Sequence, residues 1–162
     1  MAVFAQPQVD VLTFEVGGQC YALPSRSVRE VLRAVSIVPL PSGPRVVEGI
    51  INVRGSVVPV LDIRSRFRLP PKSLEHTDHL VVAWAGRRVV AIRADRAQDV
   101  LRIDGAQLED VAVAIPGAGY VAGVAKLRDG LLLIHDLETF LAEAEATALD
   151  AAVATVSSED SR

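Results

Sequence analysis

A single cysteine, Cys20, stands in this chain of 162 residues, so no disulfide can form within it. That fits a reducing compartment. Aromatic residues make up only 4%, too few for the stacking platforms on which single-strand nucleic-acid binders rely. A basic excess is missing as well. Lys and Arg number 17 against 20 Asp and Glu, a net charge of -3, whereas a phosphate-binding surface needs the opposite balance. No apolar run reaches the ~18 residues of a membrane span. Met1 to Gln8 lacks the basic start and apolar stretch of a secretory signal. The expectation is a soluble, cytoplasmic protein with no nucleic-acid partner and no insertion into a membrane.

What the chain does have is aliphatic residues. Half of it is hydrophobic, and Val is abundant, a residue whose branched Cβ favours strands. Val9 to Val16 alternates, Gly17-Gly18 follows, and Gln19 to Leu23 returns, which reads as a hairpin ended by Pro24. Ser25 to Glu30 suits one helical turn. Gly49 to Val53, the Arg54-Gly55 turn and Ser56 to Ile63 form a second hairpin, in which Pro59 predicts an edge or a bulge. A short helix is expected from Asp62 to Phe67. His79 to Ala85 and Arg87 to Ile92 flank Gly86, Gln98 to Ile103 adds a strand, and Asp104 to Gly119 is irregular. Tyr120 to Leu127 and Leu131 to His135 make a last hairpin. From Asp136 onward Ala, Leu and Glu predict a helix, with Leu137, Phe140 and Leu141 packed on the β-structure, Glu138, Glu143 and Glu145 in water, and a frayed tail from Ser157 to Arg162. Many short strands at turn-marked intervals point to small barrels.

The chain also repeats itself. Val47 to Phe67 aligns without a gap on Val121 to Leu141: Gly49 meets Gly123, Arg54 meets Arg128, and Asp62 meets Asp136. The first hairpin likewise echoes the one around Gly86, with Glu30 to Arg33 set against Asp99 to Arg102. Two similar β-subdomains with a pseudo-twofold relation follow, and a groove between them is a natural binding site.

Catalytic chemistry finds little support. Cys20 lies mid-strand and reads as packing. No Gly-x-Ser-x-Gly elbow, P-loop or Gly-x-Gly-x-x-Gly fingerprint is present. Glu75, His76, Asp78 and His79 lack a second ligand pair at metal-site spacing and read as a solvated loop. His135 reads as a polar cap at a strand end, and no pair of carboxylates stands out for acid–base work. The expectation is no enzyme, no metal and no cofactor.

Val47 to Arg64, VEGIINVRGSVVPVLDIR, is the distinctive segment. Gly55 permits a sharp turn, Asn52 can brace it, and Arg54 projects a fixed fork of donors from its tip. From the residues alone, Arg54 serves equally well to pair with Glu48 or Asp62. This block, with Gly49, Asn52, Arg54, Gly55, Pro59, Asp62 and Arg64 in place, resembles the CheW adaptors. So do Tyr21 to Pro24, Val28 to Leu32, Leu40-Pro41, Val89 to Asp95 and Gly123 to Leu137. The resemblance spans about residues 9 to 141. It implies a mainly β fold of two five-stranded SH3-like barrels with short helices and a C-terminal helix. Residues 1–8 would be an extension, 9–145 the two-barrel domain, and 146–162 a helical extension and disordered tail. It further implies a scaffold that couples chemoreceptors to a CheA-type histidine kinase, in chemotaxis or in another chemosensory pathway such as surface motility. The partners implied are the receptor's signalling tip, the kinase's regulatory domain and other CheW-like domains, with recruitment to membrane-associated receptor arrays. Val28, Glu30, Asn52 and Arg54 would face the receptor. Three departures from the family pattern stand out: a charge at Arg93 in a normally apolar strand, Pro70-Pro71 after Leu69, and an Ala-rich C-terminal helix that extends past the family core.

Overall fold

The computed structural model describes residues 8–109, 121–128, 130–140 and 143–160. Parts of five sequence expectations lie outside those residues: most of the N-terminal extension, the greater part of the irregular stretch before Tyr120, Tyr120 itself at the start of the last hairpin, the packing of Leu141, and the last two residues of the tail. Eleven strands run in chain order: β1 (Gln8–Val16), β2 (Gln19–Pro24), β3 (Val28–Arg33), β4 (Val47–Val53), β5 (Ser56–Leu61), β6 (His79–Ala85), β7 (Arg88–Ala94), β8 (Arg96–Asp104), β9 (Leu108–Glu109), β10 (Val121–Leu127) and β11 (Gly130–His135). The helices are α1 (Ile63–Arg66), α2 (Leu137–Phe140) and α3 (Glu143–Asp160).

The strands form two sheets, ordered β8-β1-β2-β11-β10-β9 and β3-β6-β7-β5-β4. The fold is mainly β in two sheets with a C-terminal helix, as the sequence implied. The two sheets are built alike. In each, a hairpin bearing the Arg-Gly or Arg-Asp-Gly turn lies parallel to a second hairpin, Val60 beside Ala91 in one and Ile134 beside Ala22 in the other. Even the irregularities coincide: the β4–β5 register shifts between Val47 and Gly49, and the β10–β11 register between Val121 and Gly123. The two-residue β9 pairs with β10 where, in the other sheet, Val38 forms a lone bridge with Ile50. The halves also exchange arms. β3, which follows β2 in the chain, pairs with β6, and β8, which follows β7, pairs with β1.

Alternation along the strands separates three apolar clusters. Val9, Val11, Ala22, Ile103, Ala125, Leu132 and Ile134 fill the first sheet's interior. Ile51, Val53, Val58, Val60, Leu80, Val82 and Ala91 fill the second's. The opposite strand faces meet in a third cluster, with Phe14, Tyr21 and Leu23 from one sheet and Leu61, Val81, Ala83, Val90 and Ile92 from the other. Leu137, Phe140 and Leu149 bring α2 and α3 onto this junction. Each such side chain contributes about 1.5–3 kcal/mol on burial.

Four local readings are corrected. The turn after Pro24 is a 3-10 turn of Ser25–Ser27 only, because Val28 onward pairs with β6. The strand expected at Gln98–Ile103 runs from Arg96 to Asp104, held along β1. Pro59 marks neither an edge nor the bulge: β5 lies inside its sheet, and the proline sits opposite Ile50, just before the parallel register to β7 begins at Val60. Finally, α3 continues through Ser157 and Ser158 to Asp160.

Candidate protein-docking site

The β4–β5 hairpin turns through Arg54 and Gly55, both at positive φ, 50° and 87°. This is the conformation that two-residue hairpin turns demand. Asn52 braces it as expected, its Oδ1 accepting the Gly55 N–H at 2.8 Å. Arg54 is thereby fixed at the tip. It pairs with neither Glu48 nor Asp62. Its guanidinium donates to both carboxylate oxygens of Glu30, Nη1 to Oε1 at 3.0 Å and Nη2 to Oε2 at 2.5 Å. Glu30 is on β3 and Arg54 follows β4, the two outer strands of the sheet, so the pair links its open edges. The Arg54 side chain is 70% exposed and that of Glu30 17%. The carboxylate therefore aims a guanidinium whose outer side is open to a partner.

The structure thus brings Glu30, Asn52 and Arg54 together. Val28 turns away from them. A register shift between Val28 and Glu30 sends it, opposite Ala83, toward the core between the sheets. Gly49 is where the chain cannot carry a side chain: an added Cβ would lie 2.4 Å from the Val38 carbonyl oxygen. Val38 and Ile50 exchange backbone hydrogen bonds at 2.8 and 2.9 Å there, which seats the strand on which the hairpin rests. Asp62 caps α1, its Oδ1 accepting the Ser65 N–H at 3.1 Å.

The matching position in the first sheet is built differently. Thr13 exchanges hydrogen bonds with the backbone of Asp99, both at 3.1 Å. No Asp99–Arg128 ion pair is found among the described residues. Only the second sheet carries the clamp.

At the far end of β4 from Arg54 lies an ion network that joins the first two family departures. Arg93, 9% exposed at its side chain, pairs with Glu48 at 3.2 Å and approaches Asp78 at 3.8 Å. It also donates to the Lys72 carbonyl at 2.7 Å. Lys72 bridges Asp78 and Asp95 at 3.2 and 3.4 Å. Arg64 binds Asp95 and, at 2.9 Å, the Pro70 carbonyl. The Arg in the strand and the proline-bearing loop are thus two sides of one junction. Burial pushes the Glu48 carboxyl up, against the pull of Arg93 and with Asp62 and Asp78 adding to the rise. Burial would raise Asp95 too, but hydrogen bonds from Arg64 and the Gly17 N–H hold it low.

The remaining candidates resolve into structure. Asp78, expected in a solvated loop, is buried among Lys72 and Arg93 because its backbone joins β3 through Ala34. His79 Nδ1 accepts the Ala97 N–H at 3.3 Å. Among the described residues no group of three His, Cys, Asp or Glu side chains is placed to hold a metal ion. Cys20 is partly buried, and burial followed by Glu15 raises its thiol pKa. His135 is no strand-end cap. It is fully buried among Phe14, Tyr21, Phe67 and Phe140, at 5.0 to 6.4 Å between ring centres. Neither ring nitrogen has a hydrogen-bond partner, and burial drives its pKa down to about 3. Sequence reading passed over Trp84, 46% exposed on β6. A lone tryptophan in a strand whose repeat mate is Glu15 was the available signal.

A rigid double-sheet body with an arginine held out at a hairpin tip defines a protein-docking module. The chain belongs to the CheW-like domain family, whose profile matches residues 10–145. It is 26% identical over 144 residues to the chemotaxis protein CheW of Treponema pallidum, covering 85% of each chain. It is 33% identical over 113 residues to the protein FrzA of Myxococcus xanthus, covering 67% of this chain and 68% of that one. The crystal structure of the scaffolding protein TtCheW from Thermoanaerobacter tengcongensis superposes with a TM-score of 0.75 at 26% identity, covering 86% of this chain and 96% of that one.

Proposed function

We propose that the chain is a non-enzymatic adaptor that couples chemoreceptors to a CheA-type histidine kinase within a chemosensory array. One surface grips the receptor's helical signalling tip; others meet the kinase's regulatory domain and further CheW-like domains. The observation that carries this reading is the Arg54–Glu30 clamp, an exposed cation oriented by a carboxylate on a hairpin that Asn52 braces. An adaptor needs more than one face, and the first sheet offers another: Val100, Leu101, Leu127 and Leu131 are exposed there. No helix among the described residues is long and apolar enough to cross a membrane; in this reading its partners bring the chain to the array.

The test is a pull-down of wild type and Arg54→Ala against a receptor-tip fragment and, separately, the kinase regulatory domain. Wild type binds both, and folded Arg54→Ala loses the receptor alone. A folded wild type that binds neither cognate partner overturns the reading.

A second reading keeps the adaptor but places it in a pathway with another output, such as surface motility. The similarity to FrzA, 33% over 113 residues, fits this reading as well. Swimming and surface-spreading assays on a deletion strain separate the two.

A further inference from the structure

Beside the Arg54–Glu30 clamp stands the chain's one tryptophan. Glu30 lies opposite Val82 in the β3–β6 ladder. Trp84 is two residues further along β6, hence on the same face and diagonal to Glu30, within reach of long side chains. Leu80 and Val82 share that face and fill the sheet's interior. Trp84 is where this row emerges at the mouth, 46% exposed.

The internal repeat supplies a control. Glu15 stands opposite Cys20 just before one hairpin turn, as Trp84 stands opposite Val89 just before the other. Glu15, its side chain 35% exposed, reaches Arg96 at 3.4 Å. The fold accepts a charged residue at this position, so packing does not account for an indole in its mate. A half-exposed tryptophan diagonal to the glutamate that orients an exposed arginine supplies two of the residue types enriched in interface hot spots.

We infer that Trp84 is a specificity-determining anchor of the receptor-facing surface. Its indole takes an apolar side chain on the receptor's helical tip, and Arg54 takes an acidic or polar side chain on the same helix. The inference rests on the adaptor reading. One apolar anchor bordered by one cation complements an amphipathic helix, whose apolar stripe is edged by charge.

Trp84 is its own probe, since no other tryptophan contributes emission. Full-length protein is titrated with a tryptophan-free receptor-tip fragment and, separately, with the kinase regulatory domain. Trp84→Glu, which installs the residue found at the repeat position, is run beside wild type after circular dichroism confirms its fold. The receptor fragment is expected to shift the emission to the blue and shield it from acrylamide. Trp84→Glu is expected to weaken receptor binding about tenfold or more and to leave kinase binding unchanged. If wild type binds the receptor with unmoved emission and Trp84→Glu binds as well, the anchor is overturned while the adaptor reading stands. If the folded variant loses the kinase domain instead, the occupant is wrong and the inference falls. If wild type binds neither partner, the adaptor reading fails and the inference falls with it.

Discussion

Arg54 and Glu30 are 24 residues apart in the chain and meet in a two-bond fork across the open edge of the second sheet. An ion pair this exposed adds little to folding, about 0–1 kcal/mol. Its value lies in fixing where the guanidinium points. Glu30→Gln is therefore expected to shift the urea midpoint by no more than that amount, yet to weaken receptor binding because the arginine is no longer aimed. Arg54→Lys should behave alike, since an ammonium cannot make the fork. Equilibrium unfolding beside a binding isotherm checks the separation; loss of binding only in proportion to loss of stability would count against it.

Gly49 and Gly55 belong to the same motif for different reasons. At Gly49 an added methyl would lie 2.4 Å from the Val38 oxygen and 2.7 Å from Ile37 Cγ2. At Gly55 nothing stands within 4 Å, and only the positive φ of 87° resists. Gly49→Ala is expected to cost about 3 kcal/mol through overpacking against backbone, and Gly55→Ala about 1 kcal/mol. Urea unfolding of the pair ranks them; equal costs would mean that the Val38 segment yields easily.

The architecture was legible because the repeat is written twice. Gly49 and Gly123, Arg54 and Arg128, Asp62 and Asp136 mark matching turns, and the matching register shifts behind Val47 and Val121 bear the repeat out. The family label came from the same block. Pairings across the sheet edge were not legible. Arg54 had Glu48 and Asp62 as candidates nearby in sequence, while Glu30 reaches it only once the sheet has curled. Pro59 was misplaced because interior position follows from the parallel pairing to β7, which no local pattern announces. His135 looked like a cap because it ends a strand. Its inward direction follows from alternation with Leu133, two residues back on the same strand, which packs on the junction between the sheets.

Arg93 replaces an apolar residue of the family pattern and is nearly buried with Asp78 and Glu48. Restoring the pattern with Arg93→Val should not stabilise the chain. It leaves two carboxylates without their shared cation, a loss on the order of 3–5 kcal/mol. Arg93→Val combined with Glu48→Gln recovers part of this, since the amide carries no charge. A double-mutant cycle by urea unfolding reads the coupling; strict additivity would remove Glu48 as the partner.

The last expectation concerns acid. His135 is neutral in the folded protein, with a pKa near 3, and titrates near 6.5 once unfolded. Below that value the unfolded chain binds a proton the folded one refuses, so stability is complete above pH ~6.5 and falls as pH drops toward 3. The slope is about 1.4 kcal/mol per pH unit, or about 2 kcal/mol lost by pH 5. Asp95, held low by Arg64 and Gly17, adds a loss of the same sign when carboxylates begin to protonate. Glu48, held high, works the other way. Asp95 is ionised both folded and unfolded between pH 6 and 5 and adds no slope there, whereas Glu48, raised by burial, opposes the histidine's slope just above the range where an unfolded carboxyl protonates. The repeat names the substitution that isolates the effect, since Leu61 occupies the matching position at the end of β5 and is fully buried. His135→Leu should flatten the slope between pH 6 and 5 while keeping the near-ultraviolet signature of the aromatic cluster. Urea unfolding at half-unit pH steps decides it: an unchanged slope in the variant would show that the acid sensitivity lies in other groups.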